Sequence, residues 1–177
     1  MSRTIKRISR LGGLVGALAL PAVAADAGLD AVVETSSGAS AHLAGLWKRP
    51  TVLFYEDKDS TSLNQHVKDA LFARGRDLGL LDAVSVVAVA NVAAFDWFPA
   101  RNFVLAAVRD VEVKAHVPVY LDFKGSLSAP PWNLPAKTST VLVLTATGEV
   151  VWQVKGRLTP AELEALFRVL DAELHGR

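Results

Sequence analysis

The stretch that most restricts the possible folds is the run from Thr51 to Tyr55, in which every residue is β-branched, aliphatic or aromatic. A strand that is apolar on both sides must be covered on both of its faces. Two further runs rich in valine have the same character. The chain therefore predicts a buried sheet with helices on both faces, and its inner strands are expected at Val52 to Tyr55, Val84 to Val89 and Val141 to Leu144.

Helical patterns alternate with these strands. An apolar stripe that includes Leu63, Val67 and Leu71 predicts a helix after the first inner strand, with Asp59 or Ser60 as its N-cap. A second helix is predicted over residues 102–115. A third begins after Thr159 and Pro160, where Glu162 completes the sequence pattern of a capping box.

The order of predicted elements indicates the fold class. Short strands are also predicted over residues 29–35, 117–121 and 150–155, which makes the order β-β-α-β-α-β-β-β-α. A βαβ unit followed by a hairpin and a helix is the order of a thioredoxin-like domain, here with the extra strand and helix of peroxiredoxin-type members. We therefore expect one α/β domain over residues 25–177, with a central mixed sheet and flanking helices.

Residues 1–24 have the layout of a secretory signal peptide. A basic start is followed by an apolar stretch over residues 11–20 and by small residues, which predicts cleavage between Ala24 and Ala25. The apolar stretch is short for a bilayer, so no stable membrane anchor is expected after cleavage. Cleavage removes four of the 19 basic residues and none of the 18 acidic ones, leaving 15 against 18. The mature chain is thus slightly acidic and has no stripe of basic residues, so we expect no nucleic acid partner.

Cysteine is absent from the whole chain. The count excludes disulfide bonds, thiolate nucleophiles, cysteine-ligated zinc and iron–sulfur clusters. Thiol–disulfide exchange needs a thiolate, so the chain cannot be a thiol oxidoreductase whatever its fold.

Residues 53–60 contain the sequence Glu-Asp-Lys-Asp, which resembles a signature of the YtfJ family of exported bacterial proteins. The stretches 121–125, 138–141 and 156–162 are also similar to the pattern of that family, whereas the proline-rich segment 129–132 departs from it. The resemblance implies a thioredoxin-fold protein of the periplasm. The activity of that family is unknown, so the resemblance implies no reaction.

The segment Asp59 to Ser62 lies where a thioredoxin carries its two cysteines, and it has oxygen side chains instead. A serine needs an adjacent base to act as a nucleophile, and no sequence pattern pairs His66 with Ser60 or Ser62. We therefore expect Asp59, Ser60 and Ser62 to cap the helix and name no catalytic residue. Ser139 stands where thioredoxins place a cis-proline, and a trans bond is expected before it.

Three carboxylates, Glu56, Asp57 and Asp59, lie within four residues, and Asp122 could approach them in space. Oxygen ligands suit hard cations such as Ca²⁺, but the sequence of a calcium-binding loop is absent and Lys58 lies inside the cluster. A solvated loop is favoured, with no metal and no cofactor. The alternative is an enzyme or a metal- or ligand-dependent protein that uses these four carboxylates.

Trp97, Phe98 and Trp132 lie in segments with no regular pattern and could form an aromatic patch, since aromatic residues are enriched at interfaces. The favoured function is a non-catalytic binding or scaffold module, and the question of an enzyme stays open. Its partner would be a periplasmic protein or a small ligand. The candidate ligand or partner site comprises Glu56, Asp57, Asp59, Ser60, Ser62, Asp122 and Ser139.

Overall fold

A computed structural model describes residues 28–78 and 80–176 of the chain. The predicted signal peptide and its cleavage site at Ala24 and Ala25 lie outside the described residues. Seven strands form one mixed sheet in the order β2-β1-β5-β4-β3-β6-β7. Their bounds are β1 Val32–Glu34, β2 Ser40–His42, β3 Thr51–Glu56, β4 Ser85–Asn91, β5 Val119–Asp122, β6 Thr140–Leu144 and β7 Val150–Lys155.

Three long helices and several short ones accompany the sheet. The α-helices are α1 Gln65–Leu78, the one-turn α2 Leu80–Ala83, α3 Ala100–Ala115 and α4 Pro160–His175, and the 3₁₀ helices are Leu43–Leu46 and Ala93–Phe95. Within the described ranges, none of the helices has both the length and the apolar character that crossing a bilayer would require.

The three predicted inner strands share the sheet, as expected. Strand β3 pairs in parallel with β4, from Thr51 opposite Ser85 to Glu56 opposite Ala90. It pairs antiparallel with β6, where Tyr55 lies opposite Thr140. All six residues of β3 are buried, so the continuous apolar run of the sequence correctly predicts the central strand.

The alternation of side chains along β3 divides the core into two layers. Val52 and Phe54 pack with residues of α1 and α4, and Leu121 of β5 packs with α3 on the same face. Leu53 and Tyr55 point to the other face. That face is covered by irregular segments and by the 3₁₀ helix Leu43–Leu46. The long helices α1, α3 and α4 all pack on the first face, so the prediction of helices on both faces is wrong. Three prolines in the covering segment 128–137 explain part of this, because proline lacks the amide that a helix needs.

Strand β2 is missing from the sequence prediction. Its residues, Ser40 to His42, carry no strand pattern, and they pair with β1 because the turn over residues 35–39 brings them back. Gly38 adopts a positive φ of 86° in that turn. The capping box of α4 is confirmed, since Thr159 accepts from the Glu162 amide and the Glu162 carboxylate accepts from the Thr159 amide.

The start of α1 differs from the prediction. Regular helix begins at Gln65, and residues 58–64 form a series of turns instead. The side chain of Asp57 accepts hydrogen bonds from the backbone amides of Asp59 (3.2 Å) and Ser60 (3.1 Å). Aspartate readily accepts a hydrogen bond from an amide two residues ahead, so Asp57 holds a turn here. The Ser60 hydroxyl accepts from the Asp57 amide (2.9 Å) in the same turn, and regular helix starts only at Gln65, so the prediction that Asp59, Ser60 and Ser62 cap the helix is wrong.

Candidate functional site

Glu56, the last residue of β3, lies at the centre of a buried polar cluster. It is only 6% exposed. Its Oε1 accepts a hydrogen bond of 2.8 Å from the Ser139 hydroxyl, and its Oε2 pairs with the Lys68 ammonium at 2.6 Å. The carboxylate is therefore neutralised from α1 and held by the segment that enters β6. Such pairing is what a buried charge requires.

Asn64 completes this cluster and is itself fully buried. Its Nδ2 donates to the Ser139 hydroxyl (2.9 Å) and to the Gly156 carbonyl (2.8 Å), while its Oδ1 accepts from the Leu158 amide (2.9 Å). Neither Asn64 nor Lys68 is among the site residues predicted from the sequence. The available signal was their spacing of four residues, which places both on one side of a helix.

Asp57 ties the same end of the sheet to the segment before β6. In addition to the Asp59 and Ser60 amides, its Oδ1 accepts from the Ser60 hydroxyl at 2.8 Å. Its Oδ2 accepts from the Lys137 backbone amide at 2.5 Å. The side chains of Asp59 and Ser62, by contrast, are exposed. Asp57 thus acts as a structural clamp between two chain segments 80 residues apart.

Asp122 belongs to a second network with Tyr55. It is fully buried, and it accepts hydrogen bonds from the backbone amides of Ser126 (2.8 Å) and Leu127 (3.0 Å) and from the Tyr55 hydroxyl (3.2 Å). Ser128 lies 2.9 Å from the same hydroxyl. Burial raises the pKa of Tyr55, and the charges of Asp122 and Asp57 act in the same direction.

The four carboxylates proposed as a joint site are not brought together. Glu56 lies on the face of β3 that packs on α1, whereas Asp122 contacts Tyr55 on the opposite face. Alternation along the strand separates them, because adjacent residues of a strand point to opposite faces. Across residues 28–78 and 80–176, no three histidine, aspartate or glutamate side chains form a group able to hold a metal ion.

The two buried serines also lack the partners of a nucleophile. The Ser60 hydroxyl donates a hydrogen bond to the Asp57 carboxylate. The Ser139 hydroxyl donates to Glu56 and accepts from the Asn64 side chain. The His66 Nε2 lies 3.1 Å from the Leu158 carbonyl, and among the described residues no hydrogen bond joins its ring to either serine. The cis bonds in the described ranges precede Pro99 and Pro131, and Ser139 therefore follows a trans bond as predicted.

An exposed aromatic surface lies around the start of α3. It consists of Trp97, Phe98 and Phe103, which are 59%, 83% and 71% exposed. Trp132 does not belong to it. That indole donates to the Asp30 carbonyl at 2.8 Å and packs against the core on the other face of the sheet. Phe103 escaped the sequence analysis because its outward direction depends on how α3 docks.

The charges next to the aromatic surface are neutralised within the protein. Arg101 pairs with Glu34 and with Asp96, and Lys124 pairs with Asp96 at 2.6 Å. The Arg101 guanidinium also stacks 4.0 Å from the ring centre of Phe123. The aromatic surface is thus apolar and is bordered by paired rather than free charges.

Comparison with solved structures identifies the fold. A putative thiol:disulfide interchange protein DsbE from Chlorobium tepidum superposes with a TM-score of 0.56 at 20% identity, covering 85% of this chain and 96% of that one. The fold is thioredoxin-like. An uncharacterized thioredoxin-like protein from Porphyromonas gingivalis gives a TM-score of 0.59 at 14% identity, with coverages of 83% and 91%. An exposed lipoprotein thioredoxin from Streptococcus pneumoniae gives 0.54 at 14% identity, with coverages of 81% and 98%.

Sequence comparison adds no family name to this fold. No protein-family model matches the chain, and no curated protein matches it by sequence. At identities of 20% and below, the structural neighbours show the fold alone. The thioredoxin-like domain has no cysteine, so it has no thiol with which to exchange disulfides.

Proposed function

We propose that this protein is an exported, non-catalytic thioredoxin-fold module that binds another exported protein through its aromatic surface. The observation that carries the proposal is the exposure of Trp97, Phe98 and Phe103 around the start of α3, in a domain that holds no thiol. Exposed aromatic side chains are typical of binding sites, where aromatic residues supply much of the affinity.

The chemistry of the surface specifies the kind of partner. Because the carboxylates of Glu34 and Asp96 together balance the charges of Arg101 and Lys124, the rim does not select a charged ligand. Burying the exposed aromatic area is favourable by about 25 cal/mol per Å². The partner is therefore expected to be a protein that offers an uncharged, apolar pocket for Phe98 and its neighbours.

The closed polar cluster argues against a catalytic role for the same domain. The oxygens of Glu56, Asp57 and Ser139 are engaged with protein donors, and the two buried serines have no histidine beside them. A general base must reach a substrate proton, and here the candidate bases already serve as structural acceptors.

Export is part of the proposal and rests on residues 1–24 and on the resemblance to an exported family. Fractionation of producing cells followed by N-terminal sequencing tests it. We expect a mature chain that begins at Ala25 in the periplasmic fraction. Recovery of the chain with Met1 intact in the cytosol would contradict export.

Binding is tested by site-specific photo-crosslinking from position 98 in producing cells, with position 32 as control. Val32 is also an exposed apolar residue, at 49%, but it lies on β1. We expect one discrete adduct from position 98 and none from position 32. The partner identified in the adduct should then bind the purified protein, with affinity lowered about tenfold or more by Phe98→Ser with Phe103→Ser and unchanged by Val32→Ser. The proposal would be overturned if the double variant Phe98→Ser with Phe103→Ser bound the partner with unchanged affinity. It would also be overturned if the adduct contained a second copy of the chain.

A further inference from the structure

A groove of about 400 Å³ opens at the end of the sheet opposite Glu56, where β4 and β5 begin. Since β3 runs parallel to β4 and rises about 3.3 Å per residue, the groove lies roughly 17 Å from the Glu56 cluster. Its walls are mainly apolar and include Phe72, Val84, Val86, Val87, Val117 and Pro118. The groove is open to solvent, and both apolar and polar groups line it. Small-molecule sites combine apolar walls with a few polar groups that fix the orientation of the ligand.

Two nitrogen-bearing side chains line the groove beside these apolar residues. The Arg49 guanidinium is positioned by hydrogen bonds from Nε to the Ser85 hydroxyl (2.9 Å) and from Nη1 to the Asp82 carbonyl (2.6 Å). No acceptor in the described part of the chain takes a hydrogen bond from its Nη2. His116 closes α3 in the left-handed conformation with φ of 54°, and its ring is exposed.

Acidic side chains are absent from the residues that line the groove. Glu112 lies near Tyr120, which is a lining residue, but its carboxylate already accepts from the Ser36 hydroxyl and the Val119 amide. The Arg49 guanidinium brings a positive charge to the groove. The groove therefore combines apolar walls with a fixed positive charge that lacks a carboxylate partner among the lining residues.

We propose that this groove binds a small amphiphilic anion, namely a carboxylate with a short hydrocarbon chain. The carboxylate would accept charge-assisted hydrogen bonds from Arg49, with His116 near it, and the hydrocarbon would lie along Phe72, Val84 and Val87. A purely polar anion would leave the apolar walls unused, and a neutral hydrocarbon would leave Arg49 unpaired. The proposal does not depend on the aromatic surface, since Phe98 lies before the other end of the 16-residue helix α3.

The test uses octanoate as the probe, below its micelle concentration, with the mature protein and isothermal titration calorimetry. Acetate supplies the head group without the chain, and 1-octanol supplies the chain without the charge. We expect octanoate to bind about tenfold or more tightly than either comparator, with amide NMR shifts centred on Ser85, Val87 and Tyr120. Equal binding of acetate and octanoate, or shifts centred elsewhere, would overturn the proposal.

Variants assign the binding to the groove. Arg49→Gln should weaken octanoate binding about tenfold, whereas Lys48→Gln, which removes a neighbouring exposed charge outside the groove, should leave it unchanged. Because Arg49 also holds Ser85 and Asp82, a second variant, Val117→Trp, fills the groove while keeping the charge and should also reduce binding. Full binding by both variants would refute the assignment. Arg49-dependent sedimentation with phosphatidylglycerol vesicles, without octanoate binding, would also refute it by showing a membrane contact.

Discussion

The hydroxyl of Ser139 donates a 2.8 Å hydrogen bond to the carboxylate of Glu56, joining the start of β6 to the end of β3 across 83 residues of sequence. Both side chains are buried. In a thioredoxin-like fold this end of the sheet is where thiols would act, and here it is closed by oxygen and nitrogen groups that satisfy one another. The contact therefore stabilises the fold by linking two distant strands.

Removal of Lys68 should destabilise the fold by leaving Glu56 without its cation. Lys68→Met keeps most of the apolar stem and deletes the ammonium that lies 2.6 Å from Glu56. We expect the free energy of unfolding to fall by roughly 2–3 kcal/mol, since an unpaired buried carboxylate is costly. Urea unfolding followed by circular dichroism measures the change.

The matched variants for this prediction are Asp59→Asn and the double variant Glu56→Gln with Lys68→Met. Asp59 is exposed and its side chain makes no contact with the cluster, so its change should stay within about 0.5 kcal/mol. The double variant removes the charge along with its partner and should recover part of the loss. A Lys68→Met protein as stable as the unmodified one would show that the ion pair contributes nothing to stability.

The Tyr55 hydroxyl should make stability depend on alkaline pH. Burial raises the Tyr55 pKa above its ordinary value of 10.0, with the charges of Asp122 and Asp57 adding to the effect. Above about pH 10 the folded state therefore retains a proton that the unfolded chain loses. The contribution of the Tyr55 hydroxyl to the free energy of unfolding is complete below about pH 10 and declines as the pH rises further. Tyr55→Phe should cost about 1 kcal/mol at neutral pH, and the difference from the unmodified protein should narrow above pH 10.

Tyr120, the other of the two tyrosines, provides the comparison. Burial also raises the Tyr120 pKa, but its side chain is only half-buried and it lacks the hydrogen bond to Asp122. The free energy of unfolding of Tyr55→Phe and Tyr120→Phe is measured by urea unfolding at a series of pH values. Above pH 10, the difference from the unmodified protein should decrease more for Tyr55→Phe than for Tyr120→Phe. A constant difference between the unmodified protein and Tyr55→Phe at every pH would contradict the prediction.

Gly148 should tolerate no side chain, whereas Gly38 should tolerate one at modest cost. Both have φ of 86°, but a Cβ at Gly148 would lie 2.3 Å from Trp47 Cδ1, and one at Gly38 would meet nothing within 4 Å. We expect Gly38→Ala to cost about 1 kcal/mol from backbone strain alone and Gly148→Ala roughly 3 kcal/mol or more. Thermal unfolding of both variants separates strain from steric overlap. Equal losses would show that Trp47 can move aside.

The purified protein should catalyse no thiol–disulfide exchange. Without cysteine no thiolate can attack a disulfide. The hydroxyls of Ser60 and Ser139 donate hydrogen bonds to carboxylates. Insulin reduction and peroxide consumption should equal the buffer blank, with a cysteine-containing thioredoxin as positive control. Turnover that persists after removal of contaminating oxidoreductases would refute both this prediction and the non-catalytic proposal.

Local patterns predicted those features whose cause is local. The apolar run at β3, the valine-rich β4 and the capping box of α4 are each specified by neighbouring residues, and the structure confirms them. The predicted start of α1 is wrong because residues 58–64 form turns in which the Asp57 carboxylate accepts from the amides of Asp59 and Ser60, and the sequence does not show which of several nearby acceptors takes these amides. Strand β2 was missed because its pairing with β1, rather than its composition, makes it a strand.

By itself, the amino-acid sequence determined the absence of thiol chemistry, the central strands and the thioredoxin-like order of elements, because composition and periodicity suffice for these. The tertiary structure decided the rest. It placed Glu56 and Asp122 on opposite faces of the sheet, gave Glu56 its partners Lys68 and Ser139, and left Phe103 exposed while turning Trp132 inward. These outcomes depend on which distant segments pack together, and the free energy of that packing is not encoded in any short stretch of sequence.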